Sequence, residues 1–121
     1  MAADPGPLDF TRWRKKHREI RKARAEYQTC LGILYAAEER WDQAERCFRD
    51  ALCRDPEQGD AYAGLGELEI ARGDLGQARE WLEQAHRFAP NRPDVLTNLA
   101  LVLRDLGERE SAETILPTSV L

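Results

Sequence analysis

The sequence predicts an all-α protein, a solenoid of antiparallel helix pairs with a basic helical arm at its amino end. Three observations carry that prediction: residue types recur at a period of 34, apolar residues within each period follow helical spacing, and residues 1–24 are strongly basic and stand outside the repeat. A fixed period of this size is the mark of stacked supersecondary units, each of which buries its apolar face against its neighbours.

The arm comes first. From Leu8 to Leu31 the chain contains neither proline nor glycine, and Asp9 is a suitable cap, so one helix is expected to run from the arm into the first repeat. Phe10, Trp13, His17, Ile20, Arg24, Tyr27 and Leu31 follow a three-four spacing along it. Arg12, Arg14, Lys15, Lys16, Arg18, Arg21 and Lys22 surround this narrow stripe. Residues 1–24 carry eight basic and three acidic groups and residues 25–121 carry ten and nineteen, so an arm of +5 is joined to a body of −9. Such asymmetry draws the arm toward something negative. Three roles are open: a solvated extension whose stripe packs on the first repeat, a helix that docks a partner, and a contact for an anionic membrane or nucleic-acid surface. Nucleic acid is the weakest of these, because the acidic body opposes approach to phosphate.

Three repeats follow, with boundaries expected at 25–58, 59–92 and 93–121. Leu31, Leu65 and Leu99 form one column, Ala44, Ala78 and Ala112 another, and Gly32 and Gly66 a third that continues as Ala100. Phe48, Leu82 and Leu116 form a bulky column and Ala51 and Ala85 a small one. Two helices that cross closely need small residues at the crossing, so Gly32, Gly66 and Ala100 are expected to oppose Ala44, Ala78 and Ala112. Pro56 and Pro90 remove a helical donor and end the second helix of each pair. Gly73 and Gly107 mark the turn inside the second and third repeats, each followed by an acid, Asp74 or Glu108, suited to a helix start; Glu39 occupies that turn in the first repeat. The third repeat is cut short, since its second helix would start near Glu108 and stop at Pro117.

Composition narrows the classes of function. A length of 121 residues suits one compact domain on one core, and the 33% of charged residues suits helices with well-solvated outer faces. Cys30, Cys47 and Cys53 are odd in number and lie in helical segments, so a reducing compartment and buried or half-buried structural thiols are expected. With no membrane-length apolar run and no signal-peptide order at the start, the expected location is cytoplasmic. Catalysis is not expected: His17 and His86 lie far apart in any solenoid, Cys47 and Cys53 have neither redox nor zinc spacing, and phosphate-loop, serine-elbow and metalloprotease motifs are missing. No cofactor and no metal is expected. The final Ser119-Val120-Leu121 has the form read by strand-adding PDZ domains, although covering a core explains it better.

The stretches "LGILYAAEERWDQAERCFRDALCRDP" and "LGELEIARGDLGQAREWLEQAHRFAP" resemble tetratricopeptide repeats, with the L-G-x-x-Y, A-x-x-x-F/L and terminal proline of that family. Two departures are that the first aromatic is Gln28 in the first repeat, with Tyr62 and Leu96 later, and that Glu69 stands where Tyr35 does; both are expected to weaken packing. The resemblance implies a right-handed α/α solenoid whose first helices line a concave groove. It places Glu26, Thr29, Cys30, Ile33, Ala36 and Ala37 from the first repeat there, with Asp60, Ala63, Gly64, Glu67 and Ile70 from the second and Asp94, Thr97, Asn98, Leu101 and Arg104 from the third. The implied role is that of an adaptor, scaffold or chaperone holding a helical or extended segment of another protein, with apolar anchors near Ile33, Ile70 and Leu101.

Small residues on the groove floor leave room for a thick ligand, and a rim of Glu26, Asp60 and Asp94 favours a basic one. The family's clamp for the acidic tails of heat-shock chaperones would need lysine, asparagine, asparagine, lysine and arginine at Thr29, Ile33, Gly64, Asp94 and Asn98; none is present, so such tails are rejected as ligands. The stretch "PNRPDVLTNLALVLRDLGERESAETIL" is similar to the last repeats of bacterial pilus-assembly and secretion accessory proteins. At the carboxyl end Leu103, Leu106, Ile115, Leu116, Val120 and Leu121 are expected to lack cover, which would favour self-association there or through the arm.

Overall fold

The computed structural model describes residues 10–107. Five helices follow one another: α1 (Thr11–Ala37), α2 (Trp41–Arg54), α3 (Gly59–Arg72), α4 (Leu75–Phe88) and α5 (Pro93–Asp105). Among the described residues there is no strand. Helices α1 and α2 form one packed pair and α3 and α4 the next, while α1, α3 and α5 lie side by side. The expected all-α helix-pair architecture is present. Expectations for Asp9, for the second helix of the third repeat from Glu108, and for Ala112, Ile115, Leu116, Pro117 and Ser119-Val120-Leu121 fall outside the described residues.

The glycine column admits more than the expected small-against-small crossing: Gly66 does meet Ala78, whose carbonyl oxygen lies 3.6 Å from a Cβ built there, but bulky side chains come closer. A Cβ built on Gly32 would lie 2.6 Å from the Phe48 ring, and one on Gly66 would lie 2.6 Å from Cγ of Leu82. Each glycine therefore receives the bulky residue of its partner helix, and the alanines Ala44, Ala51, Ala78 and Ala85 fill the rest of the interface. Phe48 is wedged from a second side as well, because a Cβ on Gly64 of α3 would lie 2.4 Å from its Cζ.

The single core expected from chain length is instead a pair of clusters. One joins Ala25, Ala44, Phe48, Ala51, Ala61, Leu65 and Leu68. The other joins Ala63, Ala78, Leu82, Ala85, Val95, Leu99, Ala100, Val102 and Leu103. Helix α3 contributes to both, as expected when each unit packs only on its neighbours. Leu103, expected to lack cover, is buried at 2% exposure; Leu106 is exposed.

The turns follow the local chemistry. Gly73 and Gly107 adopt φ of 84° and 85°, and Glu39 adopts φ of 61° in the equivalent turn without a glycine. Asp55, before Pro56, leaves α2 in extended conformation, and Ala89, before Pro90, leaves α4 with φ −140° and ψ 68°, outside the helical region. Asp74 caps α4, its carboxylate accepting from the Gln77 amide at 3.1 Å.

Candidate partner-binding groove

Equivalent positions 34 residues apart place Glu26, Asp60 and Asp94 in one row across α1, α3 and α5. Ile33, Glu67 and Leu101 form a second row. Ile33 is 53% exposed and Leu101 42%, large values for aliphatic side chains. Glu67 lies between them by register, and Ile70 is half-buried one turn further along α3. Cys30, Ala37, Thr97 and Arg104 are also exposed, while Ala36 and Asn98 are half-buried.

Three residues expected on the groove surface belong to the packing. Thr29 is buried, its hydroxyl donating to the Ala25 carbonyl at 2.9 Å. Ala63 lies in the second cluster, and Gly64 is covered by Phe48. Gly64 is taken by the close approach of α3 to the preceding pair, and Ala63 by the packing of α4 and α5 on the other side of α3.

The acidic rim is also altered by a residue the sequence reading passed over. Arg92 donates to Asp60 Oδ1 through Nη1, and to Asp94 through Nη2 at 2.6 Å and Nε at 3.2 Å. These bonds hold the Asp94 carboxyl below its usual range. Glu26 has no ion-pair partner among the described residues. Glu67 behaves in the opposite way: desolvation in the wall, and then the nearby Asp94 carboxylate, push it above the usual glutamate range. The signal that could have exposed the clasp was the Arg92-Pro93-Asp94 turn at the start of α5.

At its amino end the row of acids continues into a cleft of about 600 Å³ between α1 and the α2–α3 turn. Arg18, Arg21, Lys22 and Glu26 line one side, and Arg54, Asp55, Glu57 and Asp60 the other. All seven cations of the arm that surround the stripe, Arg12, Arg14, Lys15, Lys16, Arg18, Arg21 and Lys22, are exposed, as is Trp13. Of the three roles open to the stripe, packing on the first repeat is not what Phe10, Trp13, Ile20 and Tyr27 do: all four are exposed, because the pair partner α2 has 14 residues against 27 in α1.

Two further expectations are corrected nearby. Cys30 and Cys53 are exposed; only Cys47 is half-buried, with burial and then Asp50 raising its thiol above the usual range. Glu69, expected to weaken packing, is buried at 8% exposure and accepts from Arg72 at 3.2 Å. The same guanidinium reaches Glu45 at 2.8 Å and Asp42 at 3.2 Å, clipping α3 to α2.

Models of the tetratricopeptide repeat match residues 35–91 and 94–120. The chain is a tetratricopeptide-repeat protein. Among curated relatives, human E3 SUMO-protein ligase RanBP2 is 36% identical over 67 residues, 54% of this chain and 2% of RanBP2. Human tetratricopeptide repeat protein 7B is 31% identical over 78 residues, 64% of this chain and 9% of that protein. The chain therefore spans only a small part of the relatives it matches. Among solved structures, the second tetratricopeptide domain of Spaghetti (RPAP3), bound to the HSP90 peptide SRMEEVD, superposes with a TM-score of 0.82 at 13% identity, covering 88% of this chain and 92% of that one. That likeness is one of fold. Among the described residues no helix of this repeat protein is long and apolar enough to cross a membrane.

Proposed function

We propose that this repeat protein is a non-catalytic interaction module that holds a helical or extended segment of another protein against the wall formed by α1, α3 and α5. The observation that carries this reading is the row Ile33, Glu67 and Leu101: two half-exposed aliphatic side chains on either side of a carboxylate raised by its surroundings. Apolar anchors contribute affinity, and a cation on the ligand placed beside Glu67 relieves its repulsion from Asp94. Because the helix pairs are rigid, the partner bears most of the ordering cost. The ligand expected is an aliphatic segment bearing lysine or arginine.

Acidic chaperone tails are not expected to bind, whatever the fold likeness to proteins that hold them. Ile33, Gly64, Asp94 and Asn98 offer no cation, and Glu67 and Asp94 repel a carboxylate. Selection of a random peptide library on the full chain tests the reading. The expected winners combine aliphatic residues with lysine or arginine and lose binding to Leu101→Asp and to Glu67→Arg. Winners that are acidic, or that bind these variants unchanged, would refute it.

A second reading rests on the exposed cations of the arm, which suit an anionic lipid or nucleic-acid surface. Salt separates the two: surface binding collapses as salt rises, whereas binding anchored at Ile33 and Leu101 loses little.

A further inference from the structure

The side of α1 that packs on the solenoid changes character along its length. Ala25, Thr29 and Gly32 are its buried residues. Arg18 and Arg21 stand seven and four residues before Ala25, and Lys22 stands seven before Thr29, so the same side turns cationic where the packing ends. Length is the cause: α2 has 14 residues against 27 in α1, and the amino half of α1 overhangs the α2–α3 turn as the roof of the cleft of about 600 Å³. The signs are segregated across that cleft, with Arg18, Arg21 and Lys22 above and Asp55, Glu57 and Asp60 below. Among the described residues no ion pair crosses it. Below, Asp60 is held by Arg92, and Asp55 accepts from the Glu57 amide at 3.1 Å. Above, the three cations have no ion-pair partner among the described residues, and within residues 11–24 Glu19 is the one acid against eight cations.

We propose, resting on the groove reading, that the segment held there is charge-segregated: its aliphatic and basic core lies on the wall, and an acidic residue beyond the core enters the cleft against Arg18, Arg21 and Lys22. Groove and cleft are continuous, because Glu26 and Asp60 belong to both. Arg18, Lys22, Glu26 and Ile33 follow one another by four, four and seven residues, which places them on one face of α1. Lys22 and Arg18 lie about 16–22 Å from Ile33 along the helix. Five to seven residues of extended chain, at about 3.3 Å each, cover that span. Glu26 lies between, so it meets the basic core and turns the acid toward Lys22, one turn further on. There the unpaired cations of the roof give a carboxylate charge-assisted hydrogen bonds.

Titration calorimetry of the full chain at about 150 mM salt tests this, since exposed charges further apart than about 8 Å are then largely screened. The probes are synthetic peptides: a Leu-Lys-Leu-Lys-Leu core alone, and the same core carrying Asp-Asp or Asn-Asn beyond a five-residue glycine-serine spacer at either end. One placing of Asp-Asp is expected to bind about tenfold more tightly than its Asn-Asn counterpart. Arg18→Glu with Lys22→Glu is expected to abolish that gain. Arg12→Glu with Lys16→Glu changes the charge equally on residues outside the cleft lining, and is expected to keep it. All four positions are exposed, so circular dichroism is expected to show the same helical content for both pairs of substitutions. A core that binds while Asp-Asp brings no gain overturns this inference and leaves the groove reading standing. A core that does not bind overturns the groove reading and this with it. An equal loss with both pairs of substitutions is the behaviour of an arm that meets an extended anionic surface, and it overturns the proposal too.

Discussion

Phe48 shows how much one side chain decides. Its ring is 1% exposed and is held between Gly32 of α1 and Gly64 of α3, so a methyl group on either helix has nowhere to go. Gly64→Ala gains about 1 kcal/mol of helix propensity and loses more to overpacking, typically about 1–3 kcal/mol and here at the upper end because the ring is trapped on both sides. A lower midpoint in urea unfolding is expected; an unchanged or higher midpoint would contradict the wedge. Glu39 presents the reverse case. Its left-handed conformation costs about 1–2 kcal/mol, glycine at that turn adopts it freely, and Glu39→Gly is expected to raise stability by about 0.5–1 kcal/mol after the added chain entropy of glycine.

Glu67 links stability to binding at the same residue scale. Its carboxyl lies above the ordinary value of 4.5, so the folded state holds the proton more tightly than the unfolded chain does. Stability from this group therefore falls as pH rises through the folded pKa and is recovered as pH drops below the unfolded one. Asp94 has the opposite sign, its contribution being present above the unfolded value and lost as pH falls through the depressed folded one. Glu67→Gln is accordingly expected to raise the thermal midpoint at pH 7 while weakening the basic ligands proposed for the groove. Calorimetry and peptide titration on the same variant check both halves of that statement.

At the scale of elements, helix ends and helix contacts show unequal support. Helix α4 begins on a bonded cap, whereas Phe10, Arg40, Gln58 and Arg92 at the starts of α1, α2, α3 and α5 make no side-chain cap bond. Asp74→Ala is expected to cost about 1 kcal/mol, measured as a shifted midpoint in denaturant. Arg72 joins α2 to α3 by reaching Asp42, Glu45 and Glu69. Removing it leaves the buried Glu69 without its cation, and fraying of α3 against α2, seen as faster amide exchange in α3, is the expected consequence.

For the whole molecule the question is what depends on the arm. Every buried residue of α1 lies at Ala25 or beyond, so removing residues 1–24 is expected to leave the repeats folded, with helical content lost only in proportion to the deleted turns. A truncated chain that unfolds would show that the arm supports the repeats directly.

Sequence periodicity alone determined the helix pairs, the paired turns at Gly73 and Gly107, and the closely packed glycines, because each follows from spacing along one or two neighbouring helices. It also marked the stripe on α1, since a three-four rhythm is legible without any knowledge of what lies opposite. It could not tell that Thr29, Ala63 and Gly64 would be taken into the packing, because that depends on how closely α3 approaches the helices on either side of it. Nor could it join Arg92 to Asp60, or Arg72 to Asp42, partners about 30 residues apart in the chain whose distance is set by stacking one unit on the next. Spacing within a helix is a local property of the chain, whereas the charge of the rim and the covering of the stripe are properties of distances between helices, which only the tertiary structure decides.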